Sequence, residues 1–193
     1  MALDLRIRFA WKWIPVLSSM GRIAFVYPQG GLVFTKGDKV VYPHHGVAII
    51  EDMQEQDFLG ERRQYFILRL AHGDLTLKVP VDNTKEIGLR EVVSKREVKK
   101  VMDVLREEET NMPANWSRRF KTNVEKIKSG DIYQIAEVVR NLSLREKDKG
   151  LSAGEKRMLT KARQILVSEL TFAYETTEEK TEAMIDKVLA ESR

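Results

Sequence analysis

The hydrophobic pattern of this chain changes its period at Pro80, and that change constrains the fold more than any other feature. Between residues 36 and 81, short apolar runs alternate with polar residues at period two, as at Leu75, Leu77 and Val79. Such alternation, broken by glycine-containing turn signals, is typical of short β-strands. We therefore expect a small Tudor-like or SH3-like β-barrel followed by an all-helical bundle, which is an α+β chain of two domains.

After residue 80 the apolar residues recur at helical spacing, and polar residues mark where the helices begin. Segments 94–97 and 152–155 are capping boxes, in which a serine and a glutamate three positions later satisfy the first N–H groups of a helix. Further helices are predicted to begin at Trp116, at Asp131 and near Thr176. The bundle is thus divided into several helices of ordinary length.

Three segments are predicted: a leader at 1–33, a Tudor-like domain at 34–84 and a helical domain at 85–193. In the first, Pro15 and Gly21 break any long helix, and no convincing cleavage site follows a signal-peptide core. We expect a poorly ordered leader and consider a start codon assigned too far upstream. No apolar run approaches the roughly 20 residues that span a bilayer.

Few residues could support catalysis. The chain has no cysteine, which excludes disulfides, thiolate catalysis and Cys-based zinc sites and suits a reducing cytoplasm. His44 and His45 are adjacent on a predicted turn and point in different directions, and His72 has no fixed carboxylate partner in the sequence. No phosphate loop or nucleophile elbow is present. We expect turn histidines, no metal, no cofactor and no enzymatic activity.

Positive charge is concentrated around the predicted helix that begins at Trp116. Residues 111–163 hold thirteen Lys or Arg against six Asp or Glu, a local charge of +7, whereas the whole chain carries +4. Arg118, Arg119 and Lys121 lie next to the indole, as expected of a ring that wedges an opened DNA duplex. Because Trp116 shares a helical stripe with Phe120, Val124 and Ile127, periodicity by itself favours a position in the core, and the sequence leaves core and surface open.

A second basic cluster lies on the helix that follows the second capping box. Lys156, Arg157 and Lys161 are spaced to share one face, and Arg163 is close to them. A solvated surface is the usual meaning of such charges. Together with the Trp116 helix, they could instead form one positive surface that binds DNA, in which Lys156 and Arg157 contact phosphates.

Three segments resemble the CarD family of bacterial transcription regulators, in its actinobacterial form. They are residues 34–46 (FTKGDKVVYPHHG), residues 115–119 (NWSRR) and residues 150–159 (GLSAGEKRML). The resemblance covers about residues 34–190 in the expected order. It implies a cytoplasmic protein, associated with the nucleoid through RNA polymerase, that regulates transcription.

On the DNA side, the resemblance implies a helical domain that touches promoter DNA at the upstream edge of the melted −10 region. Trp116 would insert into the distorted minor groove and stabilise the open complex. Arg118, Arg119 and Lys156 would hold the DNA backbone, largely without reading its sequence.

On the polymerase side, the resemblance implies a Tudor-like domain that binds the RNA polymerase β subunit. The contact would use the hairpin around Gln56 and Phe58 and the strand bearing Lys78. The mycobacterial-like pattern has arginine in place of Gln56 and of Lys78. Gln56 lacks a charge and Lys78 lacks a bidentate fork, so we expect a weaker or differently tuned polymerase interface.

The residues also allow a different class of protein. In this alternative the chain is a nucleic-acid-binding adaptor, whose barrel recruits another protein or RNA while the basic helices contact duplex DNA. Retention of the polymerase β subunit by residues 34–84 would separate the two possibilities.

Overall fold

The chain divides into two compact units, residues 1–35 and 36–193. The computed structural model describes residues 14–17, 23–26, 34–58, 61–108 and 112–191. In the first unit, strand β1 (Ile14–Leu17) pairs antiparallel with strand β2 (Ile23–Val26). The expected disorder of the leader falls largely on residues outside the described ranges and stays a prediction.

The second unit begins with a five-stranded antiparallel sheet in the order β6-β5-β4-β3-β7. Its strands are β3 (Lys39–Tyr42), β4 (Gly46–Phe58), β5 (Glu61–Leu70), β6 (Thr76–Pro80) and β7 (Arg90–Glu91). Strand β6 pairs with β5 only as far as the Pro80–Tyr65 pair, so the outer part of the β4–β5 hairpin extends past its neighbour. Strand β7 belongs to the sheet although it follows residue 84. The boundary between the Tudor-like and helical domains, predicted at residue 84, stays a prediction.

The helices follow in the predicted order. They are the short α1 (Thr84–Ile87), α2 (Lys95–Arg106), α3 (Trp116–Lys128), α4 (Ile132–Lys149), α5 (Ala153–Tyr174) and α6 (Glu178–Glu191). Both capping boxes form, at the start of α2 and of α5. Asp131 caps α4, as its position predicted. The α+β prediction, with a sheet domain followed by a helical domain, is confirmed.

One continuous apolar core joins the helices of this unit. Ile135 and Leu142 of α4, Leu166 and Leu170 of α5 and Ile185 of α6 are all inaccessible to solvent. Their burial fixes the relative positions of the long helices, since interiors pack densely. Among the described residues, no helix is both long enough and apolar enough to cross a bilayer.

The sheet is held against helix α5 by a close approach and by an ion pair to a buried carboxylate. Gly46 has a φ of +86°, and a Cβ atom there would lie 3.1 Å from the Ser168 hydroxyl, so glycine is required on both counts. Arg90 of β7 donates to both carboxylate oxygens of fully buried Glu169, at 2.5 and 2.8 Å. The sheet and the helices therefore form one packed unit.

Candidate nucleic-acid interface

Trp116 lies on the surface at the start of α3. The Asn115 side chain accepts a hydrogen bond from the Arg118 N–H at 3.1 Å and caps the helix there. The indole is 48% exposed and stacks on the ring of Phe120, with centroids 5.3 Å apart and planes 27° apart. The Phe120 ring thus covers one face of the indole. The sequence left core and surface open, and the structure places this ring at the surface.

The indole is held in place by the capping box of α5. Its Nε1–H donates to the Ser152 hydroxyl at 3.1 Å. That hydroxyl donates to the Glu155 carboxylate at 2.8 Å and also accepts from the Glu155 N–H at 3.3 Å. The hydroxyl thus uses its one donor and both acceptor positions. The orientation of Trp116 is tied to the first turn of another helix.

Arg119 lies beneath this arrangement and not on the protein surface. It is 3% exposed, and its Nε and Nη2 atoms each lie 2.8 Å from a Glu155 oxygen. Its Nη1 donates to the carbonyls of Pro113 and Ala114, at 3.0 and 3.1 Å. The prediction that Arg119 holds a DNA phosphate is therefore wrong, because its guanidinium is buried and already bonded within the protein.

Glu155 remains ionised at the centre of this group. Burial raises the pKa of its carboxyl, but hydrogen bonds from Ser152 and the Arg119 guanidinium outweigh burial, so the pKa lies below its ordinary value of 4.5. A second guanidinium, that of Arg145, lies 3.9 Å away. The charged and hydrogen-bonded group gives Trp116 a rigid base.

Three exposed cations follow the indole along α3. Arg118, Lys121 and Lys128 are exposed, and within the described residues they form no ion pair. Lys126 of the same helix differs, because its ammonium lies 2.5 Å from the Glu137 carboxylate. The positions predicted for Arg118 and Lys121 thus leave both side chains available to an external anion.

The predicted basic face of α5 likewise contains both cations without an ion-pair partner among the described residues and a cation that is paired. Lys156, Arg157 and Lys161 are exposed and, in the described part of the chain, have no carboxylate partner. Arg163 is paired with Asp186 of α6 at 2.6 Å. The structure brings Lys156 and Arg157 to the end of α5 that also holds Ser152, and therefore near Trp116.

The two adjacent histidines lie in the β3–β4 turn, where His44 has a φ of +70°. Burial, followed by the charges of Lys128 and Lys161, lowers the pKa of His44 below its ordinary 6.5. Burial and Lys161 lower that of His45 in the same direction. No metal-binding group of His, Cys, Asp and Glu was found among the described residues. The third histidine, His72, lies 3.7 Å from Glu178, a partner that the sequence did not reveal.

The predicted polymerase-binding residues lie on the sheet. Gln56 is exposed on β4 opposite Arg63 of β5, and Lys78 is exposed on the edge strand β6 opposite Ile67. These two registers are four residues apart along β5, or about 13 Å. The side chain of Phe58 lies outside the described residues. Gln56 and Lys78 are thus on one sheet without touching.

Comparison with known families decides what kind of protein carries this arrangement. Residues 34–93 match the family model "CarD-like/TRCF RID domain", and residues 100–186 match "CarD, C-terminal domain". The "Putative transcription factor YdeB" of Bacillus subtilis (strain 168) is 37% identical over 148 residues, which cover 77% of this chain and 97% of that protein. The chain belongs to the CarD family.

The CarD family is a family of non-enzymatic transcription factors, and RID denotes its RNA polymerase-interacting domain. The predictions of the CarD family and of a non-enzyme are therefore confirmed, whereas the actinobacterial form stays a prediction. A solved structure titled "CdnLNt from Myxoccoccus xanthus" is 29% identical, covers 34% of this chain and 93% of that chain, and has a TM-score of 0.30. The match to the RID domain begins at Phe34 and ends just after β7.

Proposed function

We propose that this CarD-family protein binds the RNA polymerase β subunit and stabilises the promoter open complex. Its sheet domain would bind the polymerase through Gln56, Phe58 and Lys78. Its helical domain would insert Trp116 at the upstream edge of the melted −10 region. The observation that carries the proposal is a half-exposed indole, held at a fixed orientation, beside cations that have no ion-pair partner in the described part of the chain.

The indole supports this role through its chemistry. Opening of a promoter unstacks base steps at a cost of a few kcal/mol per step, and an apolar wedge offsets part of that cost. An indole stacked on a base contributes about 1–3 kcal/mol. A group that contacts only the opened geometry shifts the equilibrium toward it. Because Trp116 is already fixed by Ser152, little of this free energy is spent on ordering the ring.

The exposed cations support the same role, because they would bind the DNA backbone without recognising its base sequence. Arg118, Lys121, Lys156 and Arg157 are exposed near the indole, where they would pair with backbone phosphates. Phosphate contacts supply affinity and register, whereas sequence is read through base edges. Binding to the polymerase would raise the concentration of the helical domain at every promoter, so weak DNA binding is sufficient.

The polymerase contact is proposed to be weaker than that of family members with arginine at these positions. Gln56 brings no charge, and the Lys78 ammonium cannot form the two parallel hydrogen bonds that a guanidinium makes with a carboxylate. Both residues are exposed in the sheet domain.

The test is the lifetime of open complexes formed by purified polymerase on a short-lived promoter. Trp116→Ala is expected to shorten the lifetime roughly 5- to 150-fold relative to the wild-type protein, the equivalent of about 1–3 kcal/mol. Binding to the isolated β subunit should not change. Trp116→Phe, which keeps an apolar ring, should lie between the two. An unchanged lifetime in Trp116→Ala, with polymerase binding intact, would exclude the wedge.

A further inference from the structure

Exposed cations that form no ion pair with any described residue continue well beyond Trp116 in the helical domain. On α3, Arg118, Lys121 and Lys128 fall within about 80° of one another at 100° per residue, so they lie in one row along the helix. Glu125 is the acidic residue in that row. On α5, Lys156, Arg157 and Lys161 share one face, spread over about 140°, and we call them the second row. Both rows begin at the indole and run away from it.

The rows meet again at the far end, beside the sheet domain. His44 lies within electrostatic reach of both Lys128 and Lys161. The turn that carries it is packed between two helical elements: a Cβ atom on Gly130 would lie 3.2 Å from Pro43, and one on Gly46 would lie 3.7 Å from Ile165. Lys128, Lys161, His44 and His45 therefore converge from α3, α5 and the β3–β4 turn, and we call them the junction cluster.

We propose that the junction cluster is a second DNA-backbone site, which holds duplex phosphates beyond the base step wedged by Trp116. This inference rests on the proposed function, since it takes the duplex next to Trp116 as its ligand. Twelve residues separate Trp116 from Lys128, which is about 18 Å along the helix. At 3.4 Å per base pair, the site would lie about five base pairs from the wedge.

The chemistry of the two rows favours binding of DNA phosphates over a surface that only contacts water. Other cations on the same two helices are neutralised, Lys126 by Glu137 and Arg163 by Asp186, whereas the cations of the two rows have no carboxylate partner among the residues that the structure describes. The junction cluster adds two imidazoles, whose N–H groups can donate to a phosphate oxygen without a net charge. A row of cations ending in such donors matches a regularly spaced polyanion.

The experiment measures the salt dependence of binding between the full-length protein and forked DNA. The fork carries a duplex arm of about twelve base pairs. In the test variant, Lys128→Gln is combined with Lys161→Gln. The matched control combines Lys126→Gln with Arg163→Gln, which removes the same number of charges from the same helices but only from paired side chains.

Loss of two phosphate contacts should reduce the slope of log K against log salt by about 1.8 in magnitude. Between 50 and 200 mM salt, the wild-type protein should lose about 12-fold more affinity than the test variant. The control should keep the wild-type slope. An unchanged slope in the test variant, or equal changes in both variants, would overturn the inference and leave the junction cluster as a solvated surface or a site for an acidic protein.

A shorter fork provides an independent test. With a duplex arm of about three base pairs closed by a hairpin loop, too short to reach the junction cluster, the wild-type slope should fall to that of the test variant on the long arm. Equal wild-type slopes on both arms would overturn the inference. The proposed function is tested separately by Trp116→Ala. If that variant shortens the open-complex lifetime while the test variant keeps the wild-type slope, the wedge stands and the junction site fails.

Discussion

Replacing Ser152 with alanine tests whether the orientation of the Trp116 indole matters, because the variant keeps the ring but removes its hydrogen bond to Ser152. The variant loses the hydroxyl that accepts from Trp116 at 3.1 Å and the cap that α5 receives from the same atom. Loss of a serine cap costs about 1 kcal/mol, within a range of roughly 0.5–2. Loss of a neutral hydrogen bond costs about 0.5–1.5 kcal/mol. The free energy of unfolding should therefore fall by about 2 kcal/mol.

Ser94→Ala is the matched control, because Ser94 and Glu97 form the same capping box on α2, away from Trp116. It should cost about 1 kcal/mol of stability and leave open-complex lifetime unchanged. Ser152→Ala should shorten the lifetime by up to about fivefold, because the released indole adopts the competent orientation less often. Exchange of the Trp116 indole proton with solvent should also become faster in Ser152→Ala, which NMR measures directly.

A double-mutant cycle provides the decisive control. Phenylalanine at position 116 has no N–H to donate, so Ser152→Ala should have no further effect on lifetime in a Trp116→Phe background. If Ser152→Ala shortens the lifetime equally in both backgrounds, or if Ser94→Ala shortens it as much, the hydroxyl acts on stability alone. Either result would refute the reasoning.

Two further predictions concern stability. Glu155→Gln should lower the free energy of unfolding by about 3–5 kcal/mol near neutral pH, because it leaves buried Arg119 unpaired. Since folding depresses the Glu155 pKa, this stabilisation is present above about pH 4.5 and is lost as the pH falls through the folded-state pKa. Urea unfolding measures the difference in stability between the wild-type protein and Glu155→Gln. An equal difference at pH 7 and at about pH 3 would contradict the prediction. Gly46→Ala should destabilise the protein more than Gly73→Ala, because both glycines have a φ of +86° but only the first lies against Ser168. Equal melting temperatures would show that the close approach to α5 is unimportant.

Much of the fold follows from local sequence signals. The change of period at Pro80, the capping boxes and Asp131 locate the strands and helices because these signals act within a few residues. The end of the sheet is harder to predict from the sequence. Strand β7 has only two residues, Arg90 and Glu91, and pairs with β3 across about fifty residues of sequence. No periodicity can be read from a strand of that length.

The candidate site was predicted less completely, because tertiary contacts assign its charges. Arg118 and Arg119 are adjacent and chemically alike, yet one is exposed and the other is buried against Glu155, 36 positions later. A capping box signals helix initiation, but nothing in it reveals that Ser152 also accepts from Trp116. Lys128 lies in the last turn of α3, and only the packed β3–β4 turn places it in a cluster.

The position of residue 116 in the open complex tests the central claim most directly. A photoreactive phenylalanine analogue at position 116 should crosslink to DNA at the upstream edge of the melted −10 region when polymerase holds the promoter open. Before melting, that crosslink should be absent. Crosslinks to polymerase alone, or to DNA equally before and after melting, would contradict the insertion of Trp116 into opened DNA.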